Sequence, residues 1–173
     1  LDMGYFPHTF EGRRDQVICA LLYGTGIRVS ELRNLLLSDV LVIENMIKVM
    51  GKRNKQRYVP YPRSVRKPIL EYLEAREKIA TTDVFITTNK GEPAYDRLIY
   101  RVVNKYLSIV STVDQRSPHV LRHSFATHLL NNGAELNAIK ELLGHENLAA
   151  TQIYTHTSFE KLNEIYKQSH PRA

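Results

Sequence analysis

The chain has no tryptophan and one cysteine, Cys19, among its 173 residues. A lone thiol closes no intramolecular disulfide, so a disulfide scaffold is excluded and a reducing, cytoplasmic setting is expected. Cys19 lies in the apolar run Val17 to Leu22, where a buried, inert thiol is the expectation. No apolar stretch approaches the roughly 18 residues that a membrane span needs. The start, Leu1-Asp2-Met3-Gly4, has no basic segment followed by an apolar one, so no signal peptide is expected there. Internal repeats and low-complexity tracts are absent too, so the chain reads as one domain. No glycine-framed serine and no Walker-type phosphate loop occurs, which removes the α/β-hydrolase and P-loop classes.

What is present suits a globular domain: 43% of residues are hydrophobic and 24% charged. A domain of about 150 residues or more buries some two-thirds of its unfolded surface and folds without staples. The formal charge is +6, with 24 Lys and Arg against 18 Asp and Glu, and this favours a polyanionic partner. Arg53, Lys55, Arg57, Arg63, Arg66 and Lys67 crowd into fifteen residues that hold no acid. On charge alone, that run is equally a solvated face.

Apolar spacing predicts a helix over Glu11 to Tyr23, ended by Gly24 and Gly26, and a second over Arg28 to Leu36 with Val29, Leu32, Leu35 and Leu36 on one face. Arg28 and Glu31, three residues apart, are then neighbours on its polar side. Val40 to Ile43, Met46 to Met50 and Arg57 to Pro60 read as three β-strands, the last two joined by a basic hairpin over residues 51–56. A helix from about Ser64 to Ile79 follows, with Ile69, Leu70, Tyr72 and Leu73 inward, then a brief strand Val84 to Ile86 and a helix Asp96 to Val110. Ser117-Pro118 starts a helix running to Asn131. Leu136 to Leu143 forms a short one closed by Gly144, and Thr151 to His156 and Phe159 to Lys167 finish the chain. The expected class is α+β: mainly helical, with a small three-stranded antiparallel sheet.

Five of the seven histidines, His119, His123, His128, His145 and His156, fall within 38 residues. A metal site is not expected there, because Arg122 would set a fixed cation beside the metal and carboxylates are lacking nearby. For His123, His128 and His156 a core or capping role is expected. The other reactive groups are Arg28 at a helix start, Lys52 in the hairpin, His119 and Arg122 one turn apart, and His145 after a helix end. Tyr154 adds a phenol whose ordinary pKa of about 10 requires cationic neighbours or a base for nucleophilic work at neutral pH.

In this order and spacing the sequence resembles the tyrosine recombinases of the phage integrase family, and among them the Xer-like site-specific recombinases. Four blocks carry the resemblance: LLYGTGIRVSEL around Arg28, GKRNKQRYVP around Lys52, SPHVLRHSFATHLL around His119 and Arg122, and LLGHENLAATQIYTH around His145 and Tyr154. The last two are specific as a pair: His-x-x-Arg, then Gly-His, then Tyr nine residues beyond that His. Arg53, where such hairpins usually carry a second glycine, and Ala150, in place of a common threonine, are departures.

The resemblance implies a tyrosine recombinase catalytic fold over residues 10–173, a lead-in segment over residues 1–9 left from an interdomain linker, and an N-terminal core-binding domain not included in this chain. It implies Tyr154 as nucleophile on a DNA phosphodiester, Arg28, Arg122 and His145 on the phosphate oxygens, Lys52 as general acid, His119 assisting proton transfer and Glu31 orienting the site. Arg53, Lys55 and Arg57 are the expected DNA contacts. No metal or other cofactor is expected. Double-stranded DNA and further recombinase protomers are the expected partners, in a tetramer linked by the tail helix at about residues 159–167, with a monomer away from DNA. The implied role is chromosome or plasmid dimer resolution at the nucleoid. A mobile-element integrase with the same chemistry, a type IB topoisomerase and a degenerate DNA-binding regulatory module remain as alternatives.

Overall fold

The computed structural model describes residues 3–51, 55–110 and 116–144. Six α-helices and one three-stranded sheet make up these residues, in the order α1 (Phe10–Thr25), α2 (Val29–Arg33), β1 (Val40–Leu41), β2 (Met46–Met50), β3 (Gln56–Pro60), α3 (Arg63–Glu77), α4 (Asp96–Val110), α5 (Pro118–Asn131) and α6 (Leu136–Leu143). The α+β class is the one expected. No helix among the described residues is long and apolar enough to cross a membrane.

Helix α1 is the axis of the domain. Thr9 caps its start, the hydroxyl oxygen accepting from the Gly12 amide at 3.2 Å, and Val17, Ile18, Cys19, Leu21 and Leu22 are all buried. It packs against α3, α4 and α5, so apolar side chains are required on several sides rather than along one stripe. Burial pushes the Cys19 thiol far above its ordinary pKa, which leaves it an inert core group. The residues expected as a lead-in are tied to this core by Phe6, whose ring stacks on Tyr106 with centroids 4.2 Å apart.

Glycine at position 26 ends α1. Its φ of 63° is left-handed, its amide donates to the Leu22 carbonyl, and a Cβ there would lie 2.4 Å from the Phe125 ring and 2.9 Å from Leu143. The position thus joins the main core to a second cluster formed by Phe125, Leu129, Ala134, Ile139, Leu142 and Leu143 of α5 and α6. Gly26→Ala is expected to destabilise the fold by about 2–5 kcal/mol, from the left-handed backbone and the overpacking together. Chemical denaturation measures it, and a change below 1 kcal/mol would mean that the joint is soft.

Several expected elements differ. The sheet is antiparallel in the order β1-β2-β3, with Ile47 opposite Val40 and Val59, but β1 is two residues long because the chain leaves the ladder at Val42. Helix α2 stops at Arg33, and Leu36 faces solvent. Leu70, expected inward on α3, is 48% exposed; the buried stripe is Val65, Pro68, Ile69, Tyr72 and Arg76, a helical repeat that Leu70 falls outside. Val84 to Ile86 is no strand. It makes one bridge, Leu36 to Val84, since the Phe85 carbonyl is taken by the Tyr72 hydroxyl and Arg76 Nε, each at 3.1 Å. Those side-chain donors replace a neighbouring strand.

Helices α5 and α6 match expectation closely. Pro118 occupies the first turn of α5, and Gly144, with φ 65°, closes α6. His128 bonds the Tyr23 hydroxyl at 3.1 Å, a packing role as expected. His123 is exposed on α5, contrary to its expected core or capping role. The segments Thr151 to His156 and Phe159 to Lys167 lie outside the described residues.

Candidate active site

Arg28 precedes the first turn of α2 in extended conformation (φ −76°, ψ 154°). Its amide donates to Glu31 Oε2 at 2.8 Å and its Nη1 to Glu31 Oε1 at 3.0 Å. One carboxylate thereby caps the helix and aims the guanidinium. Glu31 is 4% exposed and also accepts from Arg57 Nη1 at 2.7 Å and Nη2 at 3.0 Å. Burial alone would raise its pKa; the hydrogen bonds and charge of Arg57, then those of Arg28, outweigh it and hold the carboxyl below its ordinary 4.5.

Arg122, one turn after His119 on α5, donates from Nη1 to the Gly26 carbonyl at 2.5 Å and from Nη2 to the Leu143 carbonyl at 2.7 Å. Burial and the nearby charge of Arg28 lower its pKa to about 10, so it keeps its charge at neutral pH among like charges. His119 is exposed, with Nε2 3.4 Å from the Tyr100 hydroxyl. Arg28, Arg122, His119, Tyr100 and Pro118 share the wall of one pocket of about 340 Å³. Asp96, on the same wall, is paired with Arg33 at 3.3 Å. A cationic cleft of this kind suits a tetrahedral anion, which the two planar forks can grip from separate directions.

Four of the residues singled out in the sequence therefore meet: Arg28, Glu31, His119 and Arg122. Lys52, Arg53, His145 and Tyr154 lie outside the described residues. Lys55, within the hairpin, is exposed, as a surface contact requires, whereas Arg57 corrects the expectation for it. Only 7% exposed, it is turned inward on Glu31 and the Leu142 carbonyl, and a guanidinium so engaged does not reach a DNA backbone. Strand alternation carried that signal, because Arg57 sits two residues before the core residue Val59 and shares its face. Tyr100 was missed; as an isolated tyrosine on α4 it has no distinguishing pattern. Among the described residues, no group of three or more His, Cys, Asp or Glu side chains could hold a metal ion.

Comparison with known proteins identifies the family. The profile of the phage integrase family matches residues 6–161; the chain belongs to that family. It is 41% identical over 173 residues to tyrosine recombinase XerC of Chlorobaculum tepidum, covering 95% of this chain and 51% of the relative. To tyrosine recombinase XerC of Staphylococcus epidermidis it is 45% identical over 165 residues, with 94% and 56% covered. The chain thus spans about half the length of the curated relatives it matches. A crystal structure of XerA recombinase superposes with a TM-score of 0.74 at 35% identity, covering 93% of this chain and 60% of that one. The XerH site-specific recombinase bound to difH substrate shares the fold, with a TM-score of 0.72 at 23% identity, covering 91% and 43%.

Proposed function

We propose that the chain is the catalytic part of a Xer-like site-specific recombinase that cuts and rejoins DNA without metal. The observation that carries this reading is the convergence of Arg28, Arg122 and His119 on one pocket, with Glu31 holding Arg28. The Tyr154 oxygen attacks the phosphorus and the 5′-oxygen departs, leaving a 3′-phosphotyrosyl bond and a free 5′-hydroxyl. Lys52 protonates the departing oxygen and His119 assists the proton leaving Tyr154. Arg28, Arg122 and His145 stabilise the extra negative charge of the five-coordinate transition state. The covalent bond retains the phosphodiester energy, so a partner strand's 5′-hydroxyl reverses the step and completes the exchange.

The likeness to proteins named tyrosine recombinase XerC supports the Xer-like reading, and the role proposed with it is resolution of chromosome or plasmid dimers in the bacterial cytoplasm, at the nucleoid. The protein is a monomer away from DNA and joins a tetramer of protomers on double-stranded DNA through residues 159–167.

The test is covalent trapping by the full-length protein on nicked suicide DNA bearing its core site, in EDTA. A denaturation-resistant 3′ adduct is expected from the wild type and none from Tyr154→Phe. An adduct that survives this substitution, or a wild type that forms none, overturns the reading.

A further inference from the structure

The C-terminal end of α6 is gripped by three arginines from three different elements. Arg57 Nε of β3 donates to the Leu142 carbonyl at 3.0 Å, Arg122 Nη2 of α5 to the Leu143 carbonyl at 2.7 Å, and Arg28 Nη2 to the Gly144 carbonyl at 3.1 Å. These consecutive carbonyls belong to a helix end, which leaves its last acceptors without intrahelical donors and carries partial negative charge. Two of the three arginines line the pocket; Arg57 is absent from its wall. Its guanidinium instead packs against Gly144, where an added Cβ would approach Cζ and Nη1 to 3.0 Å, and it takes both oxygens of Glu31.

From this geometry we infer that Arg57 is a positioning residue for strand cleavage. It sets Glu31 so that Glu31 aims Arg28, and the same fork anchors the α6 end that Arg28 and Arg122 also hold. Three donors in one plane make this possible, two for the carboxylate and one for Leu142. A lysine ammonium reaches the charge but not all three acceptors. The inference rests on the recombinase reading above and adds to it a residue that works without meeting DNA.

The experiment compares full-length wild type, Arg57→Lys and Arg57→Met by rate of covalent adduct formation, thermal unfolding, and DNA affinity against salt. Arg57→Lys, which keeps the cation beside Glu31, is expected to fold and to lose about 10–100-fold in cleavage rate, the cost of small misplacement at a reacting centre. In Arg57→Met, which removes the charge, the slope of log affinity against log salt stays at the wild-type value. A slope smaller by about one would mark a phosphate contact and overturn the inference. In an Arg28→Lys background, the further loss from Arg57→Lys shrinks to about twofold, since its route to the phosphate is already broken. The same loss in both backgrounds, or wild-type cleavage by a folded Arg57→Lys protein, also overturns it. An absence of adduct from the wild type is a separate result that defeats the recombinase reading and takes this inference with it.

Discussion

Arg122→Lys is expected to slow covalent adduct formation by about 10²–10³-fold, the usual cost of removing one well-placed donor to a developing negative charge. The guanidinium serves two partners that lie apart in sequence, the Gly26 carbonyl ending α1 and the Leu143 carbonyl ending α6, and it borders the pocket at the same time. An ammonium lacks the fixed fork to hold both carbonyls and still meet a phosphate oxygen. Burial first, and then the charge of Arg28, lowers the Arg122 pKa to about 10, so the two guanidinium ions lie close enough to feel each other. Each cation is drawn to the negative charge that builds on the phosphate, and this offsets their mutual repulsion. Single-turnover cleavage measures the effect, and a rate within tenfold of wild type would place Arg122 outside the chemistry.

Glu31→Ala is expected to act first on stability, by about 3–5 kcal/mol, because it strands the buried Arg57 without its carboxylate. For a domain of this size that is a fall of roughly 6–20 °C in Tm. The pH dependence follows from the direction of the Glu31 shift. Its folded pKa is below the ordinary 4.5, so its stabilising contribution is complete above about pH 4.5 and is lost as pH falls through the lower folded value. The stability gap between wild type and Glu31→Ala should therefore be steady above about pH 5 and narrow as pH falls into the acid range. A constant gap between the two denaturation curves across that range would contradict the assignment. Replacing Glu31 and Arg57 together by apolar residues of similar volume should restore much of the lost stability, while cleavage stays low because Arg28 has lost its guide.

Helices with sharp chemical borders were legible in the sequence. Pro118 at the start of α5, Gly144 after α6 and Gly26 after α1 each act through local backbone geometry, which depends on the residue and its immediate neighbours. The strand expected at Val84 to Ile86 was not legible. Phe85 and Ile86 are indeed buried, but the Phe85 carbonyl finds side-chain donors, Tyr72 and Arg76, that come from α3 and not from its own surroundings. Leu70 and Leu36 were placed inward for the same reason: apolarity is a residue property, whereas burial depends on which face a neighbouring element covers.

The reactive groups could be named from the order of four blocks, since the chemistry demands particular residue types and spacing carries them along the chain. Their arrangement could not. Arg28, Arg57 and Arg122 come from three separate elements and converge on one helix end, and nothing local tells Arg57 from the exposed Lys55 beside it except its place on the inner face of β3. The sequence by itself determined the family and the local borders of the helices and named the candidate reactive side chains, because these follow from residue chemistry and short-range backbone preference. Only the tertiary structure decided which arginines face the pocket and which brace it, because a guanidinium takes whatever acceptors the fold brings within about 3 Å, and those lie far away in sequence.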